Sequence, residues 1–249
     1  MVSAELERFV ILAAPRSGSN MLCTMLDSHP AILCHHEIFN PKGVWVALDL
    51  RQSGFRLGSV EEREADPLAF LDRLWEHPFG RPCVGFKFTH RQNEAVFPRL
   101  LRDAGLKKIV LRRRNRLKTF VSSLISERLG QWEAYSEKEL AAERPRVAVD
   151  PARFRDHVDF DRAYYREIRS SLEADGQSWA EASYEELGEL SVQNRLLRFL
   201  GQTPVAEPLE PRSVKQNSRD LRDLIANYDE LARALAGTEF EGEMTSLDD

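Results

Sequence analysis

The stretch Phe9-Val-Ile-Leu-Ala-Ala-Pro-Arg-Ser-Gly-Ser-Asn-Met-Leu-Cys-Thr-Met-Leu26 decides the fold. A short apolar run ends in Pro15-Arg-Ser-Gly-Ser-Asn20, and a helical pattern starts at once. Strand, tight loop and helix N-terminus in that order form an anion site, because loop N–H groups converge and the helix dipole favours negative charge. Gly18 lets an anion approach closely, and Arg16 adds a fixed positive charge. An ordinary strand-to-helix turn uses the same residue types, so the loop needs support from the rest of the chain.

The usual nucleotide-hydrolase loop places Gly-Lys before a magnesium-binding hydroxyl. Here Ser19 follows Gly18, and the basic residue lies two positions before the glycine. That favours a different phosphorylated donor over magnesium-dependent ATP chemistry. A P-loop kinase is the rival enzyme, and a catalytically silent nucleotide-binding module is the rival without chemistry.

Around this loop the pattern is α/β. Phe9–Ala13 reads as a first strand and about 18–27 as a helix, with short strands near Cys34, over Cys83–Thr89, over Lys108–Arg112 and, more weakly, over Ser178–Ala182. Leu117, Phe120, Val121, Leu124 and Ile125 have helical spacing, and Gly130 should end that helix. Helices are expected at about 192–200 and 221–235, and loops at 131–151 and 201–218. Strands alternating with helices predict a P-loop-like central parallel sheet with helices on both faces, as one domain over 1–249.

The 249 residues are 42% hydrophobic and 30% charged, with net charge −5, so no global attraction to nucleic acid is expected. No apolar run is long enough for a membrane span, the N-terminus lacks the pattern of a targeting segment, and Cys23, Cys34 and Cys83 show no metal-ligand spacing. A cytoplasmic protein without a metal site is the expectation. The last helix is compatible with a homodimer, although core packing would give the same pattern.

The fourth strand runs into Arg112-Arg-Arg-Asn-Arg-Leu-Lys118, at the sheet edge where open α/β proteins bind ligands. Ser122 lies eight positions after Arg114, about two helical turns along. Two anion sites suggest a ligand with two separate anionic groups.

On these residues the chain resembles the sulfotransferases that use 3′-phosphoadenosine 5′-phosphosulfate (PAPS). Pro15, Arg16, Ser17, Gly18, Ser19 and Asn20 match the loop that holds the 5′-phosphosulfate, and Arg114 and Ser122 match the pair that holds the 3′-phosphate. Ser183-Tyr-Glu-Glu-Leu187 looks like the segment whose tyrosine, here Tyr184, lies near adenine. Arg198-Phe-Leu-Gly201 looks like the helix end that follows. Arg212-Ser-Val-Lys-Gln216 takes the place of the basic loop over the 3′-phosphate, which points to Arg212, Lys215 and Gln216. The likeness spans about 9–238. Within the family it is nearer to bacterial carbohydrate sulfotransferases of the trehalose and Nod-factor kind, by His36-Glu-Ile-Phe39, Arg114-Asn-Arg-Leu and the ending Lys215-Gln-Asn…Asn227-Tyr-Asp-Glu-Leu. Met21 stands where the cytosolic branch has a Trp that stacks on adenine, and Asn20 replaces a common Ser or Thr. Tyr184 and Trp132 are the candidates for that stacking.

The resemblance implies transfer of a sulfuryl group from PAPS to a hydroxyl of a glycan or small molecule, leaving 3′-phosphoadenosine 5′-phosphate (PAP), with no metal. Arg16 would stabilise charge on the leaving phosphate. Glu37 matches the general base of the trehalose-type enzymes, provided burial raises its pKa; otherwise it would pair with Lys42 or Arg16. His90, beyond Lys87 at the end of the third strand, is the rival base, although the cytosolic branch spaces its pair Lys-x-His. His36 is a third choice. Lys87 could steady the sulfuryl group or the acceptor. Trp45, Phe55, Trp75 and Trp132 could stack on a sugar or pack in the core.

Overall fold

A computed structural model describes residues 6–245 apart from 91, 142 and 219. The first five residues of the stretch read for targeting lie outside them. Nine helices and five strands alternate among the described residues: β1 Glu7–Ala13, α1 Ser19–Asp27, β2 Ile32–His35, α2 Leu48–Gln52, α3 Val60–Ala65, α4 Pro67–Trp75, β3 Cys83–Thr89, α5 Val96–Arg102, β4 Leu106–Arg112, α6 Arg116–Leu129, α7 Pro151–Ala174, β5 Trp179–Ser183, α8 Leu190–Phe199 and α9 Tyr228–Leu235.

The strands form one parallel sheet in the order β2-β3-β1-β4-β5. β1 is therefore central, and the chain leaves it first toward β2 and β3, then crosses to β4 and β5. This reversal is the topological switch point at which open α/β sheets bind ligands, and the Pro15–Asn20 loop sits on it. Phe9, Ile11 and Ala13 pack with α1 and α8 on one face. Val10 and Leu12 pack with α4, α5 and α7 on the other. A strand covered on both sides must be apolar throughout, as Phe9–Ala13 is. Gly85 of β3 lies beside Phe9, whose ring would be 2.4 Å from an added Cβ, so this register needs a glycine.

The expected sheet with helices on both faces is present. Gly130 ends α6 with φ 65°, as its position predicts. Two expectations change. Residues 221–235 are not one helix: a short turn at Leu221–Asp223 precedes a parallel bridge between Ile225 and Val147, and α9 starts only at Tyr228. Pairing with the 131–150 segment takes the Ile225 backbone out of the helical path. The 24-residue α7 was not anticipated, because its sequence is dominated by charge. Its apolar stripe (Phe154, Val158, Tyr164, Ile168, Leu172) is interrupted by buried Asp161. In α9, Leu231 and Leu235 are buried against the α6 and α7 cluster, so those two residues serve the core.

Among the described residues no helix is long and apolar enough to cross a membrane. All three cysteines are buried free thiols.

Candidate active site

The loop after β1 turns sharply, with Arg16 at φ 63° and Gly18 at φ 89°. Ser17 points its hydroxyl back to Ala14 O at 2.6 Å, which ties the turn together. Gly18 is the N-cap of α1; no side chain caps that helix, and its first turn holds no acidic residue. The first N–H groups of α1 are thus left for an anion. Tyr184, just after β5, closes the loop: its ring would be 2.3 Å from a Cβ on Gly18, and the Arg113 guanidinium lies over the same ring at 4.6 Å. Both the conformation and this contact restrict position 18 to glycine.

Arg16 joins segments far apart in sequence. Its Nε donates to Ser122 Oγ at 2.9 Å, Nη1 to the Trp132 carbonyl, and Nη2 to Gln216 Oε1 at 3.0 Å. All three acceptors are neutral. Burial, and then the like charges of Arg113 and Arg144, lower its pKa to about 10, so it is still charged at neutral pH. Asn217 Nδ2 also donates to Ser122 Oγ, at 3.1 Å. With two donors already on its oxygen, Ser122 keeps its own O–H to give to a ligand. The 131–150 and 201–220 segments meet above the loop, where Val214 N donates to Ala134 O at 2.9 Å.

Beside this lies an acid–base cluster. Lys87, only 3% exposed, pairs with Glu37 at 3.0 Å and donates to Asn20 Oδ1. Glu37 Oε2 also accepts from Asn40 at 2.6 Å and Gln92 at 2.8 Å. Burial pushes the Glu37 carboxyl up, but Lys87 and the bonds from Asn40, Lys87 and Gln92 outweigh it and hold it below the usual range. This corrects the expectation of a carboxylate raised by burial, and its partner is Lys87 rather than Lys42 or Arg16. His36 Nδ1 is 3.3 Å from both Asn20 Oδ1 and Tyr135 Oη. Burial, with Lys87 next, drives its pKa well down, so it is neutral. Sequence reasoning missed Arg63 of α3, fully buried, which donates to the carbonyls of Ile38, Asn40 and Gly43 and so fixes the segment bearing Glu37. An arginine in a charged helix gives no signal of that role.

Other sequence-based candidates lie elsewhere. His90 turns away from Glu37 and meets Asp161 of α7 at 2.7 Å. Arg114 is 68% exposed and pairs with Glu186 at 2.8 Å, not with Ser122. The N-terminus of α6 is already capped from within: Glu243 accepts from Leu117 N at 2.8 Å and Arg116 Nε at 2.6 Å. Arg212 pairs with Asp49 at 2.6 Å, and Lys215 is exposed. Trp75 packs against the core and Phe55 against His77 and Phe79, whereas Trp45 and Trp132 are each 39% exposed.

No family model matches the chain. Nodulation protein H of Rhizobium tropici is 27% identical over 239 residues, covering 93% of this chain and 90% of that protein. Two solved structures align at 18% identity over 97% of this chain. They are a sulfotransferase from Alicyclobacillus acidocaldarius (93% of that chain, TM-score 0.46) and the sulfotransferase domain from the curacin biosynthetic pathway (90%, TM-score 0.48). The resemblance read from the ordered motifs is borne out by a relative that is 27% identical along nearly the whole chain.

Proposed function

We propose that this enzyme moves a sulfuryl group from PAPS to a hydroxyl of a carbohydrate or similar small acceptor. The observation that carries the reading is Arg16: a half-buried guanidinium whose three hydrogen-bond partners are neutral, at the mouth of a helix no side chain caps. Such a charge is completed by an anion. In this reading Arg16 and the amides of Gly18–Asn20 hold the 5′-phosphosulfate, the Ser17 amide being taken by Ala14 O. Ser122 donates its free O–H to the 3′-phosphate. Arg114 joins it by exchanging Glu186 for that phosphate, and Arg212, Lys215 and Gln216 close above. Tyr184 and Trp132 flank the adenine side.

The acceptor oxygen attacks sulfur as the bond from sulfur to the bridging oxygen breaks. Arg16 stabilises the charge growing on that oxygen. Glu37, ionised at neutral pH, takes the acceptor proton, and Lys87 steadies the sulfuryl oxygens. Position rather than a matched pKa makes Glu37 effective. His36, neutral and next to Asn20, is the second choice of base, and His90 the third because Asp161 holds it away from the pair.

Thermal stabilisation by PAP tests the donor site. At a hundred times Kd the ligand should stabilise the fold by about 2.7 kcal/mol, and Arg16→Ala should abolish the shift. Transfer of labelled sulfuryl from PAPS to sugars completes the test. A shift without transfer to any acceptor identifies a silent PAP-binding module, and a shift with ATP and magnesium alone identifies a kinase.

A further inference from the structure

The basic run after β4 divides on folding. Arg114 turns outward, while Arg112, Arg113 and Arg116 line a cleft of about 520 Å³ together with Arg162, Arg166 and Arg169 of α7. We propose that this cleft is a second anion site, which takes a small molecule carrying two or more phosphate or sulfate groups. Its volume suits such a ligand. Asp161, the one acidic side chain among its lining residues, is already engaged by His90 at 2.7 Å.

Carboxylates at the rim hold part of the wall: Glu243 holds Arg116, Glu239 holds Arg162, and Glu181 holds Arg169 at 2.7 Å. Among the described residues no carboxylate lies within 4 Å of Arg112 or Arg166, and Glu181, paired with Arg169, acts on Arg112 from farther off. The Arg112 guanidinium carbon lies over the Tyr165 ring, 4.5 Å from its centre, and its Nε is buried with no hydrogen-bond partner. A guanidinium fixed by stacking, with unused donors, is set to bind an oxyanion at little entropic cost. Glutamates at the rim disfavour a polyanion too large to enter the cleft.

The site is distinct from the mouth of the loop after β1. It lies on the α7 face of the sheet, whereas α1 packs on the opposite face. The two are nevertheless joined. Ala14 and Ser17 form part of the cleft wall, and Tyr165 Oη accepts from Ala14 N at 2.8 Å and donates to Leu111 O at 2.7 Å. An anion drawn to Arg112 therefore acts on the root of the donor loop.

Calorimetric titration with inorganic pyrophosphate, in the presence of saturating PAP, tests the proposal. The wild type should show one binding event. Arg166→Glu, an exposed change that spares the core, should raise its Kd about tenfold or more, and Arg112→Gln should weaken it too. PAP affinity should be unaltered in Arg166→Glu. Competition between PAP and pyrophosphate would assign the cleft to the donor site and overturn the proposal. So would no binding, or binding indifferent to both substitutions. If PAP itself does not bind, the donor reading fails, and the wild type against Arg166→Glu still decides the cleft.

Discussion

The two halves of the candidate site treat charge in opposite ways. Around Arg16 the positive charges of Arg113 and Arg144 add to its own, and its hydrogen-bond partners are all neutral. Around Glu37 the charge is balanced at close range, by Lys87 at 3.0 Å. Burial opposes ionisation in both; Glu133 and Glu37 act on Arg16 without a hydrogen bond to it, whereas Lys87 contacts Glu37 directly. An unbalanced half is suited to an anionic donor, and a balanced half to a neutral hydroxyl that must lose a proton.

Three changes would break or sharpen this contrast. The largest effect is expected for Glu37→Gln, which should lower kcat by about 10²–10⁴-fold while PAP binding stays intact. An equal loss of PAP affinity would show that the halves are not separable. The second concerns stability. Lys87→Met leaves a carboxylate buried without its cation and should cost about 3 kcal/mol or more in denaturant unfolding. Adding Glu37→Gln should recover most of it, and additive losses in that double-mutant cycle would mean that the pair is not coupled.

The third and smallest effect is pH dependence. Burial lowers His35 to about 3 and His36 well below 6.5, so both are neutral in the fold at pH 6. The unfolded chain binds a proton at each near pH 6.5, so it holds more protons below that pH, and stability falls as pH drops. Each histidine should contribute a slope of about 1.4 kcal/mol per pH unit below its unfolded pKa. The slope ends at the folded pKa, about 3 for His35. Glu37 adds a loss of the same sign only at lower pH, as it protonates below the usual carboxylate range. Unfolding curves between pH 7 and 5 should be shallower in pH for His36→Gln, and an unchanged slope would remove His36 from this account.

Much of the scaffold was legible in sequence. Local features mark it: a wholly apolar β1, a glycine where the loop turns, apolar spacing along α6, and Gly130 as its stop. α7 escaped because charged residues are as numerous in it as apolar ones and Asp161 sits on its buried face. The final helix was drawn too long because its spacing continues through Ile225, which tertiary pairing with Val147 claims. Glu37, Lys87, Arg16 and Ser122 were each identifiable by residue type and place, but their partners were not. Burial gave the wrong direction for Glu37 because the cation that outweighs it lies on another strand, fifty positions away.

The sequence by itself determined most of the order of strands and helices, the glycine turn between β1 and α1 and the likeness to sulfotransferases, because each resides in short stretches of chain. Only the tertiary structure decided that Arg16 gathers Ser122, Trp132 and Gln216, that Arg114 faces Glu186, and that Lys87 keeps Glu37 ionised. Those outcomes depend on charge, burial and hydrogen bonds between segments as much as 200 positions apart. Electrostatic energies depend on distance in space and on desolvation, and neither is set until the segments have packed.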